Sequence, residues 1–513
     1  MIQKQLNSII CTDGGNNYYL SRNRQGVLFL HPVLKHLIVL YEQGELDSWL
    51  NAQTAESSDQ VKIDTNTYVS KSQLQYYYRY FQFLVEKGFF DGVEKYPIPL
   101  NRYNSEDIKK SLASSQQIIF EVTQSCNLNC TYCGYGEFYD GFDKRDNKNL
   151  DLDTAKKLLD YMIVLWESPQ NRQYFKNVYI SFYGGEPLLN MPFIEEIVNY
   201  VKSISLRYKS FCFSMTTNGI LLEKYIEFLV ANDFRVLISL DGNKENNDYR
   251  HYSDGSSSFE KVYNNVLEIK QKYPAYFKKK INFISVIHNK NSDKGVNTFF
   301  EKEFHKEPIL IPVNSFGIKP SKKEEYEKLF KGMYSDFEDK DFIATAQTKH
   351  ELLKAPFINL LWSFLQGRSG FIFRQYDHLI RNLKKPWIVS TGTCNPFSRK
   401  IFVTANGKIL PCERIMEVYS LGSVDQTGVH LDYDAIAAQV NKYFEKLIPQ
   451  CNDCITSDVC SKCIYFTNLN DKFPTCTSIT DGEKFKENVR FQLSTLEEAR
   501  RYYPVIMKNY QVN

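Results

Sequence analysis

The chain has 513 residues, 43% of them hydrophobic and 24% charged, a balance that excludes a disordered or fibrous protein and a length that implies two to four packed domains. Lys plus Arg number 63 against 60 Asp plus Glu, a net charge of +3 that leaves no electrostatic footprint for nucleic acid or an anionic membrane. The N-terminus MIQKQLNSIICTDGG lacks a signal-peptide pattern and no apolar run is long enough to span a bilayer, so a cytoplasmic chain is expected, in which the twelve cysteines read as metal ligands rather than disulfides.

Residues 1–100 carry two short strand candidates, Asn17–Leu20 and Val27–Leu30, then a helix over Pro32–Gln43 and a second over Lys71–Lys87 that ends at Gly88. Leu74, Tyr77, Tyr78, Phe81, Leu84 and Val85 form one apolar stripe on that second helix, which marks it as the core-facing helix of a small α+β module. From about residue 116 short β-branched or aromatic runs alternate with helical periods. Strands are expected over 117–123, 178–183, 211–217, 235–241, 281–288 and 308–314, with helices over 153–165, 192–206, 221–232, 259–272 and about 291–304. Six such βα units imply a parallel sheet, either open or closing toward a barrel. Residues 321–390 read as a largely helical bridge, 391–480 as a cysteine-rich module, and 481–513 as a C-terminal helix.

Directly after the first of the six strands comes CNLNCTYC, in which Cys126, Cys130 and Cys133 can converge from one loop on a single metal centre. Spacing alone leaves a zinc site with a remote fourth ligand open. Location favours a functional site, because ligands of parallel βα folds bind at the carboxyl ends of the strands. Each following strand ends in a polar signature: Tyr183-Gly184-Gly185-Glu186-Pro187, then Thr216-Thr217-Asn218-Gly219, then Ser239-Leu240-Asp241-Gly242, with Arg250 nine residues further on. The glycines permit close backbone approach, the Glu carboxylate suits an ammonium group, and Asn218, Ser239 and Asp241 suit hydroxyls. Arg250 could pair with a ligand carboxylate or with a protein one.

In the order and identity of these motifs, including the aromatic Tyr132 before the third cysteine, residues 117–315 resemble the radical S-adenosylmethionine (SAM, AdoMet) superfamily. The resemblance implies a partial (β/α)6 barrel, within an α/β fold class. It implies a 4Fe-4S cluster on Cys126, Cys130 and Cys133, and AdoMet contacts from Glu186 with Gly184 and Gly185 (ammonium), Arg250 (carboxylate), Ser239 and Asp241 (ribose), with Tyr132 and Asn218 beside them. The family cleaves AdoMet reductively to a 5'-deoxyadenosyl radical, with an electron supplied by a flavodoxin- or ferredoxin-type partner.

The C-terminal module carries Cys394, Cys412, the pair Cys451 and Cys454, the pair Cys460 and Cys463, and Cys476. Two C-x-x-C pairs suit a zinc ribbon, yet seven cysteines exceed one tetrahedral site. The pattern resembles the SPASM extension, which binds two auxiliary 4Fe-4S clusters, with two rather than three residues between Cys460 and Cys463. The resemblance implies that the nearer cluster takes Cys394, Cys412 and Cys463 and the farther one Cys451, Cys454, Cys460 and Cys476. No cysteine lies in 381–393, so an open coordination position on the nearer cluster is an expectation. Cys11 and Cys212 fit neither group, and Cys212 reads as a small buried hydrophobe in a strand.

The N-terminal module, in its strand-strand-helix-helix order, resembles the winged-helix, PqqD-like recognition element of maturases of ribosomal peptides, which captures a leader peptide as an added strand. The main expectation is therefore an enzyme that modifies a ribosomally made precursor peptide, by a thioether or carbon-carbon cross-link or by epimerisation. Two alternatives stand beside it. One is an anaerobic sulfatase-maturating enzyme that forms formylglycine. The other is an iron-sulfur winged-helix DNA-binding regulator, disfavoured because the helix over 71–87 carries no basic stripe.

Overall fold

The computed structural model describes residues 8–330 and 393–498, apart from 22–25, 56–57, 65–66, 92–101, 141–145, 173–176, 208–209, 453, 455–459, 461, 467, 471–472 and 477–481. Most of the bridge expected over 321–390 and the tail beyond 498 therefore lie outside the described residues.

The N-terminal module begins with a three-stranded antiparallel sheet, β1 (Ser8–Cys11), β2 (Asn17–Ser21) and β3 (Gly26–Phe29), with β2 in the middle. Helix α1 (Pro32–Gln43) starts at Pro32, whose fixed φ suits a first helical turn, and stops at Gly44, which takes a φ of 76°. Helix α2 (Leu46–Ala55) and the hairpin of β4 (Gln60–Lys62) with β5 (Tyr68–Ser70) follow. Helix α3 (Lys71–Glu86) opens on a capping box between Ser70 and Gln73. Leu74, Phe81 and Leu84 of its apolar stripe enter a core with Tyr19, Leu34, Leu37 and Ile38, and Tyr77 stacks on His31 at 4.1 Å. The strands over 17–21 and 26–29 and the helices over 32–43 and 71–86 lie where the sequence placed such elements. The short α2, β1 and the β4–β5 hairpin are additions that the sequence pattern did not mark.

After α4 (Ser105–Ala113) the six expected strands appear as β6 (Gln117–Thr123), β7 (Asn177–Gly184), β8 (Ser210–Thr217), β9 (Arg235–Ser239), β10 (Ile281–Ile287) and β11 (Ile309–Pro312), parallel and in sequential order. The helices α5 (Leu152–Trp166), α6 (Met191–Lys202), α7 (Leu222–Ala231), α8 (Phe259–Lys272), α9 (Pro274–Lys280) and α10 (Asp293–Phe304) link them. This is the α/β, (β/α)6 architecture expected. Strand residues facing the helices are buried, as with Phe120 against Phe193. Those on the other face, such as Tyr179, Tyr183, Ser214, Thr216 and Ser239, are only half-buried and line a polar lumen. Cys212 belongs to this lumen face: it is half-buried and alternates with the buried Phe213, which corrects its reading as a buried hydrophobe.

The cysteine-rich segment is not a separate sheet. Strand β12 (Ile401–Val403) pairs in parallel with β6, Ile401 opposite Ile118 and Val403 opposite Phe120. Strands β13 (Lys408–Leu410), β14 (Gly422–Asp425) and β15 (Gly428–His430) continue antiparallel, extending the sheet to ten strands. Helix α11 (Lys323–Leu329) precedes this segment and α12 (Tyr433–Asn452) follows it. The Asn441 side chain of α12 both accepts from and donates to the backbone of Tyr103, at 2.9 Å each way, so the entry to α4 is docked on the C-terminal module. Strands β16 (Asn468–Asn470) and β17 (Phe473–Thr475) form a hairpin, and α13 (Gly482–Glu498) returns to the N-terminal module. There Phe485, Val489 and Leu493 pack on Ile10 and Leu20, and the Glu497 carboxylate accepts from Thr12, Asn16 and Tyr18. Among the described residues no helix is long and apolar enough to cross a membrane.

Candidate active site at the strand ends

Strand β6 delivers the cysteine loop, and neighbouring loops hold it by its backbone. Asn129 N donates to His251 O at 2.7 Å and Thr131 N to Tyr249 O at 3.0 Å, while the loop turns back on itself through Cys133 N to Cys130 O at 3.1 Å. Cys126, Cys130 and Cys133 are all partly buried. Burial pushes the Cys130 thiol up to about 12, with Arg250 opposing and the nearby Cys133 and Cys126 adding to the rise. A buried thiol with two further thiols close by is a donor set for a cationic centre, which would favour its thiolate on binding. Among the described residues no three His, Cys, Asp or Glu side chains close on a single ion.

The end of β7 is joined to the start of this loop. Gly185 N donates to Thr123 O and Glu186 N to Ser125 O, both at 2.8 Å. Gly184 has a φ of 134°, and a Cβ there would lie 2.3 Å from Thr123 O; one on Gly185 would lie 2.2 Å from Ser125 O. Only glycine permits this approach. Glu186 is fully buried. Its Oε1 accepts from Leu188 N at 3.1 Å and Thr217 Oγ1 at 2.7 Å, and its Oε2 from Asn218 N at 2.7 Å. Burial raises its pKa to about 7 against the pull of these three donors. A carboxylate has about four acceptor sites, so a place remains for a further donor such as an ammonium. Asn218 in turn donates through Nδ2 to Asn127 Oδ1 at 2.7 Å, inside the cysteine loop.

At the end of β9 the structure gives Asp241 partners within the protein. This side chain is fully buried, and its carboxylate accepts from the Tyr132 hydroxyl, from Arg250 Nε at 3.1 Å and from Val286 N at 2.9 Å. Burial works to raise its pKa, but Arg250 together with the hydrogen bonds from His288, Tyr132 and Val286 outweighs it and holds the carboxyl below its ordinary value. Asp241 therefore braces Tyr132 to β9 and β10. Arg250 spends its Nε on Asp241 and lies 5.4 Å above the Tyr132 ring. Its charge reaches Cys130, so a ligand role for its outer nitrogens stays compatible with the brace. Ser239 stays half-buried on the lumen face. The sequence reading missed His288, which ends β10 as Asp241 follows β9. It is fully buried, 3.8 Å from Asp241 Oδ2, and stacks toward Tyr132 at 5.9 Å.

The C-terminal cysteines fall into neighbourhoods. Burial first, and then the proximity of Cys394, raises the Cys463 thiol, and Ile464 N donates to Thr393 Oγ1 at 2.8 Å. The Cys460 thiol is raised by burial and by Cys454 and Cys476. Cys454 N donates to Cys451 O at 3.1 Å. Cys412, pushed up to about 12 by burial and by Glu413, follows β13. Glu413, also missed in sequence, is mostly buried. Burial would raise its pKa, but Lys400, whose Nζ lies 2.9 and 3.0 Å from its two oxygens, keeps it lowered and therefore ionised.

Residues 120–300 match the Radical SAM superfamily. Over 335 residues the chain is 31% identical to the cysteine-type anaerobic sulfatase-maturating enzyme of Clostridium novyi (strain NT), an alignment that spans 61% of this chain and 78% of that enzyme. The chain belongs to the radical SAM superfamily. A second relative, the radical SAM cyclopropyl synthase TigE of Paramaledivibacter caminithermalis, is 31% identical over 142 residues, 27% of this chain and 29% of that one. Among solved structures, native anSMEcpe with bound AdoMet aligns at a TM-score of 0.48 and 20% identity, covering 77% of this chain and 99% of that one. As a radical SAM enzyme the chain uses AdoMet and a 4Fe-4S cluster. The cysteine loop, the Gly-Gly-Glu turn and the Asp241 brace described above lie within or at the strands of the matched region.

Proposed function

We propose that this radical SAM enzyme oxidises a side chain of a polypeptide, and that formylglycine formation on a sulfatase-type substrate is its leading activity. The observation that carries the reading is the extent of the likeness to a cysteine-type anaerobic sulfatase-maturating enzyme, 78% of that enzyme's length. This reverses the order in which the sequence placed the two polypeptide readings. Cys126, Cys130 and Cys133 would hold the cluster, which with AdoMet and an external flavodoxin- or ferredoxin-type donor would supply the radical chemistry that removes a hydrogen atom. Loss of one further electron and one proton would then leave the thioaldehyde, which water hydrolyses to the aldehyde with release of the sulfur as hydrogen sulfide. Glu413, ionised and mostly buried beside Cys412, is the group we assign to take the proton, and auxiliary clusters on the seven C-terminal cysteines would take the electron. Glu186 and Arg250 would orient AdoMet, and the polar lumen would receive the substrate side chain.

A specific observation favours the second reading, leader-guided modification of a ribosomal precursor peptide. The N-terminal module places paired strands ahead of two helices, as expected for a peptide-recognition element, and β3 is one of the two outer strands of its sheet, with Phe29 55% exposed. The test is anaerobic incubation of the reconstituted enzyme with AdoMet, dithionite and a cysteine-containing sulfatase-type peptide, read by mass spectrometry for the aldehyde. Formation of the aldehyde supports the leading reading. Abundant 5'-deoxyadenosine without aldehyde, together with modification of a leader-bearing precursor, would replace it with the second.

A further inference from the structure

We propose that Glu121 is a positioning residue that clamps the cysteine loop of the barrel to the hairpin that delivers Cys412. Glu121 lies in the first barrel strand, on the face opposite the helix-packed Phe120 and Val122, and is buried to within 1% of full closure. Its two oxygens serve two different parts of the chain. Oε1 accepts from the hydroxyl of Tyr135 at 2.5 Å, two residues beyond Cys133. Oε2 accepts from the backbone N–H of Ala405 at 2.7 Å.

Ala405 sits in the turn between β12 and β13, a turn closed by Gly407 N to Thr404 O at 2.8 Å and Thr404 N to Lys408 O at 3.0 Å. Gly407 takes a φ of 76°, and a Cβ there would lie 2.2 Å from Val424 O, so the turn has little freedom to shift. Its return strand ends two residues before Cys412. One buried carboxylate thus touches both the loop carrying Cys133 and the hairpin carrying Cys412. The β6–β12 pairing fixes the two strands side by side, and Glu121 extends that tie to the two loops beyond them.

A carboxylate suits this place because both of its oxygens accept, whereas a glutamine would turn an N–H₂ toward one of two donors. The consequence is a fixed separation and orientation between the two cysteine sets. The part of this inference that concerns electron passage to the nearer auxiliary cluster rests on the reading of the C-terminal cysteines as cluster ligands. The clamp itself does not.

The experiment compares full-length reconstituted wild type, Glu121→Gln, Glu121→Ala and Tyr135→Phe by hydrogen exchange and by electron paramagnetic resonance of the reduced primary cluster with AdoMet. In Glu121→Ala the amide of Ala405 is expected to exchange about tenfold faster or more, the primary-cluster spectrum to change, and AdoMet cleaved per product to rise. Tyr135→Phe is expected to alter the spectrum while leaving Ala405 exchange near wild type, and to add nothing in the Glu121→Ala background. Should Glu121→Ala fail to hold iron, Glu121→Gln decides, with one of the two readouts displaced. Wild-type Ala405 exchange and an unchanged spectrum in Glu121→Gln and Glu121→Ala would overturn the clamp. Only about four irons per wild-type chain would overturn the auxiliary-cluster reading, leaving the exchange result to judge Glu121 separately.

Discussion

Replacing Glu186 with Gln tests whether this carboxyl receives the ammonium of AdoMet. In the free protein its pKa is about 7, because burial outweighs three hydrogen-bond donors. Binding a cation requires the ionised form, so below pH 7 the bound proton must first leave. Between pH 8 and pH 6 the affinity of wild type for AdoMet should therefore fall by about tenfold relative to the Gln variant, a ratio in which any titration of AdoMet itself cancels. At pH 8 the variant should bind about 10- to 150-fold more weakly, the 1.5–3 kcal/mol of a charge-assisted hydrogen bond. The same raised pKa acts on stability. It contributes in full below the ordinary value of 4.5 and is lost as pH rises through 7, about 3 kcal/mol in all, and Glu186→Gln should lack this dependence. Equilibrium dialysis of AdoMet with the anaerobic reconstituted enzymes at pH 6, 7 and 8 reads the first effect, and urea unfolding of the cluster-free proteins from pH 5 to 8 the second. A wild-type to variant ratio that does not change with pH would refute the assignment, whatever the loss of affinity.

Asp241→Ala leaves Arg250 buried without its partner and should cost about 3–5 kcal/mol in thermal unfolding, whereas Tyr132→Phe should cost about 1; a loss for Asp241→Ala below about 1 would show that the brace is dispensable. Gly185→Ala places a methyl 2.2 Å from Ser125 O and should displace the cysteine loop, with loss of the primary cluster's iron but an unchanged far-ultraviolet circular dichroism spectrum. Reconstituted wild type should hold about twelve irons, and the triple replacement of Cys126, Cys130 and Cys133 by Ala should remove about four together with all AdoMet cleavage; stoichiometric zinc in freshly purified protein would instead restore the zinc ribbon for the C-terminal module. Deleting residues 1–101 should leave dithionite-driven AdoMet cleavage largely intact and strongly reduce modification of a leader-bearing peptide; equal loss of both would assign the module a structural role, consistent with its cover over Phe485, Val489 and Leu493.

The barrel was legible because its strands are long enough to display a pattern: 117–123 appears as a strand with the same limits, and the other five differ only at their ends. The short elements were not. Strands of three residues, such as β4, β12 and β13, are too brief for a period of two to stand out, so the C-terminal module read as cysteines without a fold. Site residues divide the same way. Cysteine spacing and the Gly-Gly-Glu turn are local and could be read directly, whereas the brace made by Asp241 needed its partners from β10 and from the loop after β9 before it could be seen. Glu121 and Glu413 did leave signals, one as a lone charge in the apolar run QIIFEVT and the other as the neighbour of a candidate ligand cysteine. Neither signal means much until the fold shows the side chain buried.

The C-terminal module joins the barrel through the sheet itself, and that connection bears on the kind of substrate. A partial barrel leaves its first strand with one unpaired edge, which is a liability unless covered. Strand β12 covers it by pairing with β6, and three more strands lead away, so among the described residues the ten-stranded sheet has β11 and β15 as its edges and does not close on itself. A closed barrel admits a small molecule from its mouth, but a polypeptide must enter with both ends remaining outside. An open sheet whose lumen face is polar and half-exposed permits that. It also places the hairpin that carries Cys412 and Glu413 next to the strand that carries the primary cysteine loop, as the neighbourhood of Tyr183 records: burial raises its hydroxyl first, and Glu413 and Cys133 both add to the rise. A side chain held in that lumen would meet groups of both modules within one sheet, without any domain movement to bring them together.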